Sequence, residues 1–445
     1  MLKSPQLPDC FYSNQPILIK PCNPTPNHSL YLSNLDDQKF LRFSIKYLYL
    51  FKKSVNRESL KASLSRVLVD YYPLAGRLKI SPENDEKFEV DCNGEGAVFA
   101  EAFMDLTADE FTQVFNYPNR TWRKLLYKVE APTFLDIPPV VIQVTNLRCG
   151  AMILCTAINH CLCDGIGTSQ FLHAWAHLTR NPDTNLPITP SHFRHVVKPR
   201  NPPQVTFCHP TFTRSQPQLQ DSIPQNALNL AQYLQSQPLA PASITFTSDN
   251  ILHLKRQCVP SLKCTSFEAL ASHTWRCWVK ALDFLPPSTT VKLLFSVSIR
   301  KAFNPELPKG YYGNGFVLAC AEGTVEDVTD ANLHGGVKLV QNAKSSLTED
   351  YLKSMIDYLE DKTVKTDLSC SLVISQWSRL GLEDLDFGEG KALQMGSLSS
   401  DIYCLFLPVI GDRNGVRVLV SMPESMVSKF EYYMKEENND DEEML

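Results

Sequence analysis

A histidine and an aspartate four residues apart form the clearest candidate for chemistry in this chain. Residues 159–165 read NHCLCDG, after an apolar stretch and before a helical pattern. An imidazole near its ordinary pKa can take a proton from an alcohol at neutral pH, so that the alcohol oxygen can attack a carbonyl. His160 is therefore a candidate general base. The spacing also fits a buried histidine bonded to backbone, with Asp164 capping the next helix.

Neighbouring residues suggest two rival chemistries. Cys161 and Cys163 could act as nucleophiles, but adjacency in sequence does not make a dyad, and the chain has no G-x-S-x-G elbow. We therefore favour direct transfer over a covalent acyl-enzyme. His173 and His177 stand at i, i+4 on the following helix, but no glutamate or third ligand joins them. We expect no metal and no permanently bound cofactor.

The elements around the turn follow from periodicity. Val140–Leu147 and Met152–Ile158 are apolar runs typical of adjacent strands, and apolar residues after Gly167 recur at helical spacing. The other predicted strands are Leu30–Leu35, Leu41–Phe51, Phe88–Val90, Ser243–Phe246, Val291–Val297, Leu372–Trp377, Ile402–Pro408 and Gly415–Met422. The other predicted helices are a segment around Leu60–Leu68, and Ser266–Ala281, Val337–Leu347, Asp350–Asp361 and Met426–Lys435.

A proline-rich segment divides the chain. Residues 181–241 contain eleven prolines and little periodicity, and a structureless stretch of that length is uncommon inside a compact domain. We therefore predict an N-terminal domain at 1–180, a crossover loop at 181–241 and a C-terminal domain at 242–435. Residues 436–445 form an acidic tail.

Composition excludes several classes of function. The net charge of −5 argues against nucleic-acid binding, and no run of about 18 apolar residues predicts a transmembrane helix. The fourteen cysteines are irregularly spaced, as expected of buried thiols in a reducing compartment. With no signal-like start, we expect a cytoplasmic protein, and we expect it to act as a monomer.

Several ordered motifs together resemble the plant BAHD acyltransferase family, whose signatures are H-x-x-x-D and D-F-G-W-G. The second signature corresponds to Asp386–Gly390, in which Glu389 replaces the usual tryptophan. Three further segments resemble family motifs along nearly the whole chain: Leu32–Asp36 (LSNLD), Tyr71–Arg77 (YYPLAGR) and Ser296–Asn314, which starts SVSIR and ends GYYGN.

The resemblance implies an α/β fold of two chloramphenicol-acetyltransferase-like domains, with mixed sheets, flanking helices and a long crossover loop between them. A channel between the domains would admit acyl-CoA, a co-substrate, from one face and the acceptor from the other. His160 would be the general base. Asp164 would be structural, paired with Arg300, since a planar guanidinium suits a carboxylate clamp.

Other roles come from the same resemblance. Ser375 and Trp377 would donate hydrogen bonds to the tetrahedral oxyanion, although a strand hydroxyl and a core aromatic residue would fit equally well. Asp386, Gly388 and Gly390 would form a structural turn away from the chemistry. Ser266 would lie near the coenzyme A arm, with a helix cap as its alternative.

The predicted function is acyl transfer from an acyl-CoA thioester to an alcohol by direct attack. The resemblance favours an aromatic, hydroxycinnamoyl-type donor. Two alternatives stay open. The chain could be a non-catalytic family member that assists fatty-acid elongation in wax biosynthesis, or it could be a condensation domain, which normally carries a second histidine where Asn159 stands.

Overall fold

The computed structural model describes residues 6–115, 118–214, 236–258, 262–329, 332–398 and 403–436. Its strands are β1 (Cys10–Tyr12), β2 (Ile17–Ile19), β3 (Ser29–Tyr31), β4 (Ser44–Phe51), β5 (Arg77–Ile80), β6 (Phe88–Asp91), β7 (Ala97–Met104), β8 (Val140–Leu147), β9 (Met152–Asn159), β10 (Phe212–Arg214), β11 (Leu239–Phe246), β12 (Thr290–Ser298), β13 (Phe316–Thr324), β14 (Val364–Thr366), β15 (Ser371–Gln376), β16 (Gln394–Ser397), β17 (Cys404–Val409) and β18 (Asp412–Pro423). Its helices are α1 (Arg57–Asp70), α2 (Ala108–Val114), α3 (Gly165–Arg180), α4 (Ser248–Arg256), α5 (Ser266–Ala281), α6 (Val325–Thr329), α7 (Leu333–Ser345), α8 (Glu349–Tyr358) and α9 (Glu424–Glu436).

The first large sheet has the strand order β1-β7-β8-β9-β4-β16, and β2 also pairs with β7. β9 is antiparallel to its neighbours β8 and β4, and all its residues are buried. Side chains along β4 point alternately to the two faces of the sheet. Tyr47 and Tyr49 pack with residues of α1 and α3, whereas Leu48 and Leu50 pack in the core on the opposite face. β9 is thus a rigid central strand that supports the turn after it.

The second large sheet has the order β11-β18-β17-β15-β12-β13. β15 lies between β12 and β17 and runs parallel to both. On β12, Leu293 and Phe295 pack in the core with α5, whereas Leu294 packs on the other face with Phe40 from the first half of the chain. One face of this sheet therefore carries α5, and the other faces the first half of the molecule.

Several predicted elements are confirmed. Val140–Leu147 is β8, and Ser266–Ala281 is α5. α7 begins four residues before the predicted Val337, since Asn332 caps it by accepting a hydrogen bond from the backbone of Gly335. No helix in the described part of the chain is long and apolar enough to cross a lipid bilayer.

The predicted strand Leu30–Leu35 is wrong beyond Tyr31. The carboxylate of Asp36 accepts hydrogen bonds from the backbone N–H and the hydroxyl of Ser33, at 3.1 and 2.7 Å, and so closes a turn. The predicted strand Leu41–Phe51 likewise starts only at Ser44, after a short 3₁₀ helix. Apolar residues alone do not reveal such side-chain-closed turns.

The domain boundaries stay a prediction. β16, which falls in the predicted domain 242–435, pairs with β4 in the first large sheet, so the two halves of the chain are interleaved. Part of the predicted crossover loop, 215–235, and residues 437–445 of the predicted tail lie outside the described residues. The same is true of Ile402, the first residue of the predicted strand that corresponds to β17.

Candidate active site

His160 lies on the turn that joins the buried strand β9 to α3. The side-chain oxygen of Asn159 accepts a hydrogen bond from the backbone N–H of Cys161 at 3.0 Å, which bends the chain as soon as the strand ends. Asp164 then caps α3 by accepting from the backbone N–H of Gly167 at 2.8 Å. The histidine is therefore held between a rigid strand and a capped helix.

Both backbone groups of His160 are fixed. Its N–H donates to the carbonyl of Phe43 at 2.9 Å, and its carbonyl accepts from the side-chain amide of Asn314 at 2.7 Å. The ring of Phe43 meets the imidazole edge-on at a centroid distance of 5.3 Å, and that of Phe316 lies at 5.7 Å. The imidazole thus sits between aromatic side chains from both halves of the chain.

The surroundings of the imidazole favour its neutral form. Burial lowers the pKa of His160 below its ordinary value of 6.5, and this outweighs the opposing influence of the Asp164 and Asp36 charges. Among the described residues, its Nδ1 atom has no hydrogen-bond partner. The residue retains 7% of its surface exposed. A neutral ring at pH 7 is the form that can accept a proton.

Asp164 is fully engaged in structural contacts. Arg300 donates to both of its oxygens, at 2.7 and 2.9 Å, as the resemblance implies. The backbone N–H groups of Gly167 and Gly315 donate at 2.8 and 3.0 Å. These four hydrogen bonds tie the start of α3 to the segment that follows β12.

A second buried network was missed by sequence reasoning. The carboxylate of Asp36 accepts from the backbone and side-chain N–H groups of Asn314, at 2.9 and 3.0 Å, and lies 3.5 Å from the guanidinium of Arg194. Arg194, which is fully buried, also donates to the carbonyl of Leu162 at 2.9 Å. These residues therefore fix the backbone of the turn that carries His160 through buried hydrogen bonds.

The signal for this network was present in two recognised motifs. Asp36 ends the LSNLD segment and Asn314 ends the GYYGN segment, but neither motif shows that these residues bond to each other. Arg194 lies in the proline-rich crossover segment, where no pattern marks it. Its guanidinium packs over the ring of Tyr312 at 4.6 Å and takes the space that a side chain at Gly313 would fill.

Ser375 lies on β15 and Trp377 follows its last residue, and among the described contacts no hydrogen bond or ring contact joins either residue to His160. Trp377 is buried, packs against Tyr47 with the ring centroids 4.6 Å apart and the planes tilted by 30°, and shares an apolar cluster with Cys161. Ser375 is half-buried. Trp377 thus packs in the same apolar cluster as Cys161, which fits either a core aromatic residue or an oxyanion donor.

The residues Asp386–Gly390 form a turn. One oxygen of Asp386 accepts from the backbone N–H groups of Gly388 and Gly390, at 2.7 and 3.1 Å, and both glycines have positive φ, +113° and +98°. Phe387 is buried against Trp175. Glu389, which stands in place of the usual tryptophan, is 45% exposed and lies 3.8 Å from Lys53, so water can hydrate its carboxylate.

The remaining candidates have structural surroundings. Ser266 is the first residue of α5, but the cap is Thr265, which forms a reciprocal capping box with Glu268. The interpretation of Ser266 as the cap is therefore wrong. His173 is hydrogen-bonded to the carbonyl of Gly381, and His177 to the hydroxyl of Thr184.

Comparisons with known proteins agree on one family. The model of the Transferase family matches residues 14–437. Omega-hydroxypalmitate O-feruloyl transferase of Arabidopsis thaliana is 36% identical over 436 residues, covering 94% of this chain and 92% of that protein. Fatty alcohol:caffeoyl-CoA acyltransferase of Arabidopsis thaliana is also 36% identical, over 94% of this chain and 97% of that protein.

Two solved structures share the fold. Vinorine synthase has a TM-score of 0.72 at 20% identity, covering 94% of this chain and 95% of that one. F. graminearum TRI101 complexed with coenzyme A and deoxynivalenol has a TM-score of 0.72 at 16% identity, covering 90% of this chain and 96% of that one. These similarities confirm the predicted fold class, an α/β arrangement of two chloramphenicol-acetyltransferase-like domains.

Proposed function

This chain belongs to the BAHD family of acyl-CoA-dependent O-acyltransferases, and from that premise we propose that it transfers an aromatic acyl group to an aliphatic alcohol with His160 as general base. The observation that carries the proposal is the imidazole of His160, which is fixed at the end of a buried strand and exposed on a small part of its surface. Burial lowers its pKa, which favours the neutral form that can accept a proton. Asp164, the other member of the motif, contacts Arg300 rather than the imidazole.

The reaction needs one proton acceptor and no covalent intermediate. An imidazole nitrogen of His160 takes the hydroxyl proton as the alcohol oxygen attacks the thioester carbonyl, giving a tetrahedral oxyanion. When this collapses, the carbon–sulfur bond breaks and the proton passes from His160 to the departing thiolate. The products are an ester and free coenzyme A. Cys161 and Cys163 are unsuited to nucleophilic attack, since burial raises their thiol pKa values well above the ordinary 9.0.

We propose Ser375 and Trp377 as donors to the oxyanion. A hydroxyl and an indole N–H are suitable donors, and the loss of one such donor typically costs about 10²–10³-fold in kcat. Trp377 packs against Tyr47 of β4, the strand paired with β9, and this position supports its assignment. Ser266, at the start of α5, remains our proposal for a contact to the coenzyme A arm.

Asp164 has a structural role in this proposal. Its oxygens are occupied by Arg300 and two backbone N–H groups, so it holds the turn instead of relaying protons. The Asp386–Gly390 turn is structural too, because its polar groups bond to one another. We place the site between the domains 1–180 and 242–435. We further propose that the protein is a cytoplasmic monomer without a permanently bound cofactor.

The donor and acceptor classes follow from the relatives. Two of them, each 36% identical to this chain, are named for feruloyl transfer to omega-hydroxypalmitate and for caffeoyl-CoA transfer to a fatty alcohol. Wild-type protein should therefore release free thiol from feruloyl-CoA or caffeoyl-CoA in the presence of a long-chain alcohol, and more slowly from acetyl-CoA.

A panel of donors tests this assignment. Faster release from acetyl-CoA than from the aromatic donors would overturn the donor class but leave the reaction in place. If no donor releases thiol with any alcohol, a binding partner that assists fatty-acid elongation becomes the better account of the chain. Ester detected by mass spectrometry, in equal amount to the thiol, distinguishes acyl transfer from simple hydrolysis.

A further inference from the structure

The crossover segment that follows α3 is bound to both halves of the chain around Arg194. Ser191 donates its backbone N–H to the carbonyl of Gly310, in the second half, at 2.9 Å. The ring of His195 stacks on that of Tyr31, in the first half, at a centroid distance of 4.7 Å. Arg194 lies between these two contacts, and its side chain is fully buried. The segment therefore carries a cation into the interior of the protein.

Arg194 reaches the His160 turn by two routes. Its guanidinium donates directly to the carbonyl of Leu162, two residues after the candidate base, at 2.9 Å. It also lies 3.5 Å from the carboxylate of Asp36. That carboxylate binds the amide of Asn314, which donates in turn to the carbonyl of His160. One side chain of the crossover segment thus acts on two carbonyl groups of the turn.

The guanidinium of Arg194 has few partners for a buried cation. Its Nε and Nη1 atoms form no hydrogen bond with any described residue, and its ion pair with Asp36 is long. Arg300, by contrast, donates to both oxygens of Asp164. Replacing a buried ion pair by apolar residues of similar volume is often neutral or stabilising. Stability alone therefore explains the charge of Arg194 poorly, whereas its contact to the turn supplies a reason for it.

We propose that Arg194 is a positioning residue for His160, so that the docking of the crossover segment sets the orientation of the general base. This inference rests on the proposed function of His160. A guanidinium suits this place, because its planar fork can bind a carbonyl and a carboxylate together while its face packs on an aromatic ring. The ring of Tyr312 lies 4.6 Å from the guanidinium, and Gly313 leaves the space that it fills.

A second arginine of the crossover segment provides a matched control. Arg200 donates from its backbone N–H and its Nε atom to the carboxylate of Asp357, at 2.7 and 2.6 Å, and Asp357 is buried. Its Nη2 atom donates to the carbonyl of Gln204, within the segment itself. Arg200 thus anchors the same segment through a buried carboxylate, as Arg194 does, but through contacts that do not involve the His160 turn.

Thiol release from feruloyl-CoA with a long-chain alcohol tests the proposal in wild type, Arg194→Met and Arg200→Met. Arg194→Met should lower kcat roughly 10–100-fold and change the KM of either substrate less than about twofold, because a displaced base affects the chemical step and not binding. Arg194→Lys should recover part of the loss, since it keeps a cation beside Asp36. Arg200→Met should lower the melting temperature but retain the wild-type kcat.

A double variant tests the route through the buried network. Arg194→Met combined with Asn314→Ala should lose less kcat than the product of the two single losses, because both residues act on the same turn. A loss equal to that product would contradict the proposal, since the two residues would then act independently.

Two further results would overturn the positioning role. A wild-type kcat in folded Arg194→Met would show that the base does not depend on this contact. Equal losses of kcat in Arg194→Met and Arg200→Met would show that only the overall docking of the segment matters. If Arg194→Met does not fold, Arg194→Lys takes its place, with a smaller loss of kcat expected and a wild-type kcat as the contradicting result.

A failure of the proposed function can be distinguished from a failure of this inference. If wild type releases no thiol from any donor, NMR of protein with ¹³C-labelled histidine tests the geometry alone. The His160 signal is assigned by its absence in His160→Ala. Arg194→Met should shift this signal, and Arg200→Met should leave it in place. A His160 signal at the wild-type position in Arg194→Met would reject the positioning role.

Discussion

The contact between Asp164 and Arg300 allows a sharp prediction, because it separates a structural role from a chemical one. In Asp164→Ala, the guanidinium of Arg300 would lose both of its charge-assisted hydrogen bonds. It would retain the carbonyls of Gly313, Gly315 and Tyr311, at 3.1–3.3 Å, as weaker partners. The side chains of Asp164 and Arg300 are only 4% and 17% exposed, so water compensates little.

The expected loss is about 3–5 kcal/mol of unfolding free energy, the usual result of breaking a buried ion pair by removing one partner. The lost cap on α3 contributes about 1 kcal/mol to that range. Arg300→Met combined with Asp164→Ala should recover part of the loss, because no unpaired charge stays buried.

Urea unfolding followed by fluorescence measures these differences in unfolding free energy. Asp384→Ala is a matched control, since its partner Lys391 and Asp384 itself are 64% and 59% exposed, and it should lose less than about 1 kcal/mol. A result in which Asp164→Ala loses turnover while its unfolding midpoint stays that of wild type would refute the structural role. It would then place the carboxylate in the chemistry.

Further predictions concern the turn itself. Because burial holds the pKa of His160 below 6.5, kcat/KM should fall only as pH drops below that value, and an acid limb centred above pH 6.5 would contradict this. Asn314→Ala should lower kcat roughly tenfold with little change in KM, since it frees the His160 carbonyl, and an unchanged kcat would remove its positioning role. Gly167→Ala should lower the unfolding free energy by at least about 1–3 kcal/mol or prevent folding, because its Cβ would lie 1.8 Å from the carbonyl oxygen of Tyr312. A wild-type melting temperature would contradict this and show that α3 can shift.

Local patterns predicted the elements next to the site well. β8 and β9 are continuous apolar runs because both are buried inside a sheet, and α3 starts at a side-chain cap that is visible in the sequence. The His160 turn follows from these elements, and so does its position at the end of a strand. Such features depend on neighbours in sequence, which a single chain reveals.

Long-range contacts escaped prediction for a physical reason. Asp36, Arg194 and Asn314 lie far apart in the chain, and their mutual burial depends on how the halves pack. β16 returns to the first sheet as a strand of only four residues, too short for periodicity to reveal. The turn at Ser33–Asp36 was mistaken for strand because a side chain, and not the backbone ladder, satisfies its N–H groups.

The role of His160 as base is tested most directly by thiol release from feruloyl-CoA with a long-chain alcohol, compared between wild type, His160→Ala and Cys161→Ala. We predict that His160→Ala loses at least about 10²-fold in kcat with an unchanged melting temperature, while Cys161→Ala keeps the wild-type rate. Equal rates for wild type and His160→Ala would contradict the account.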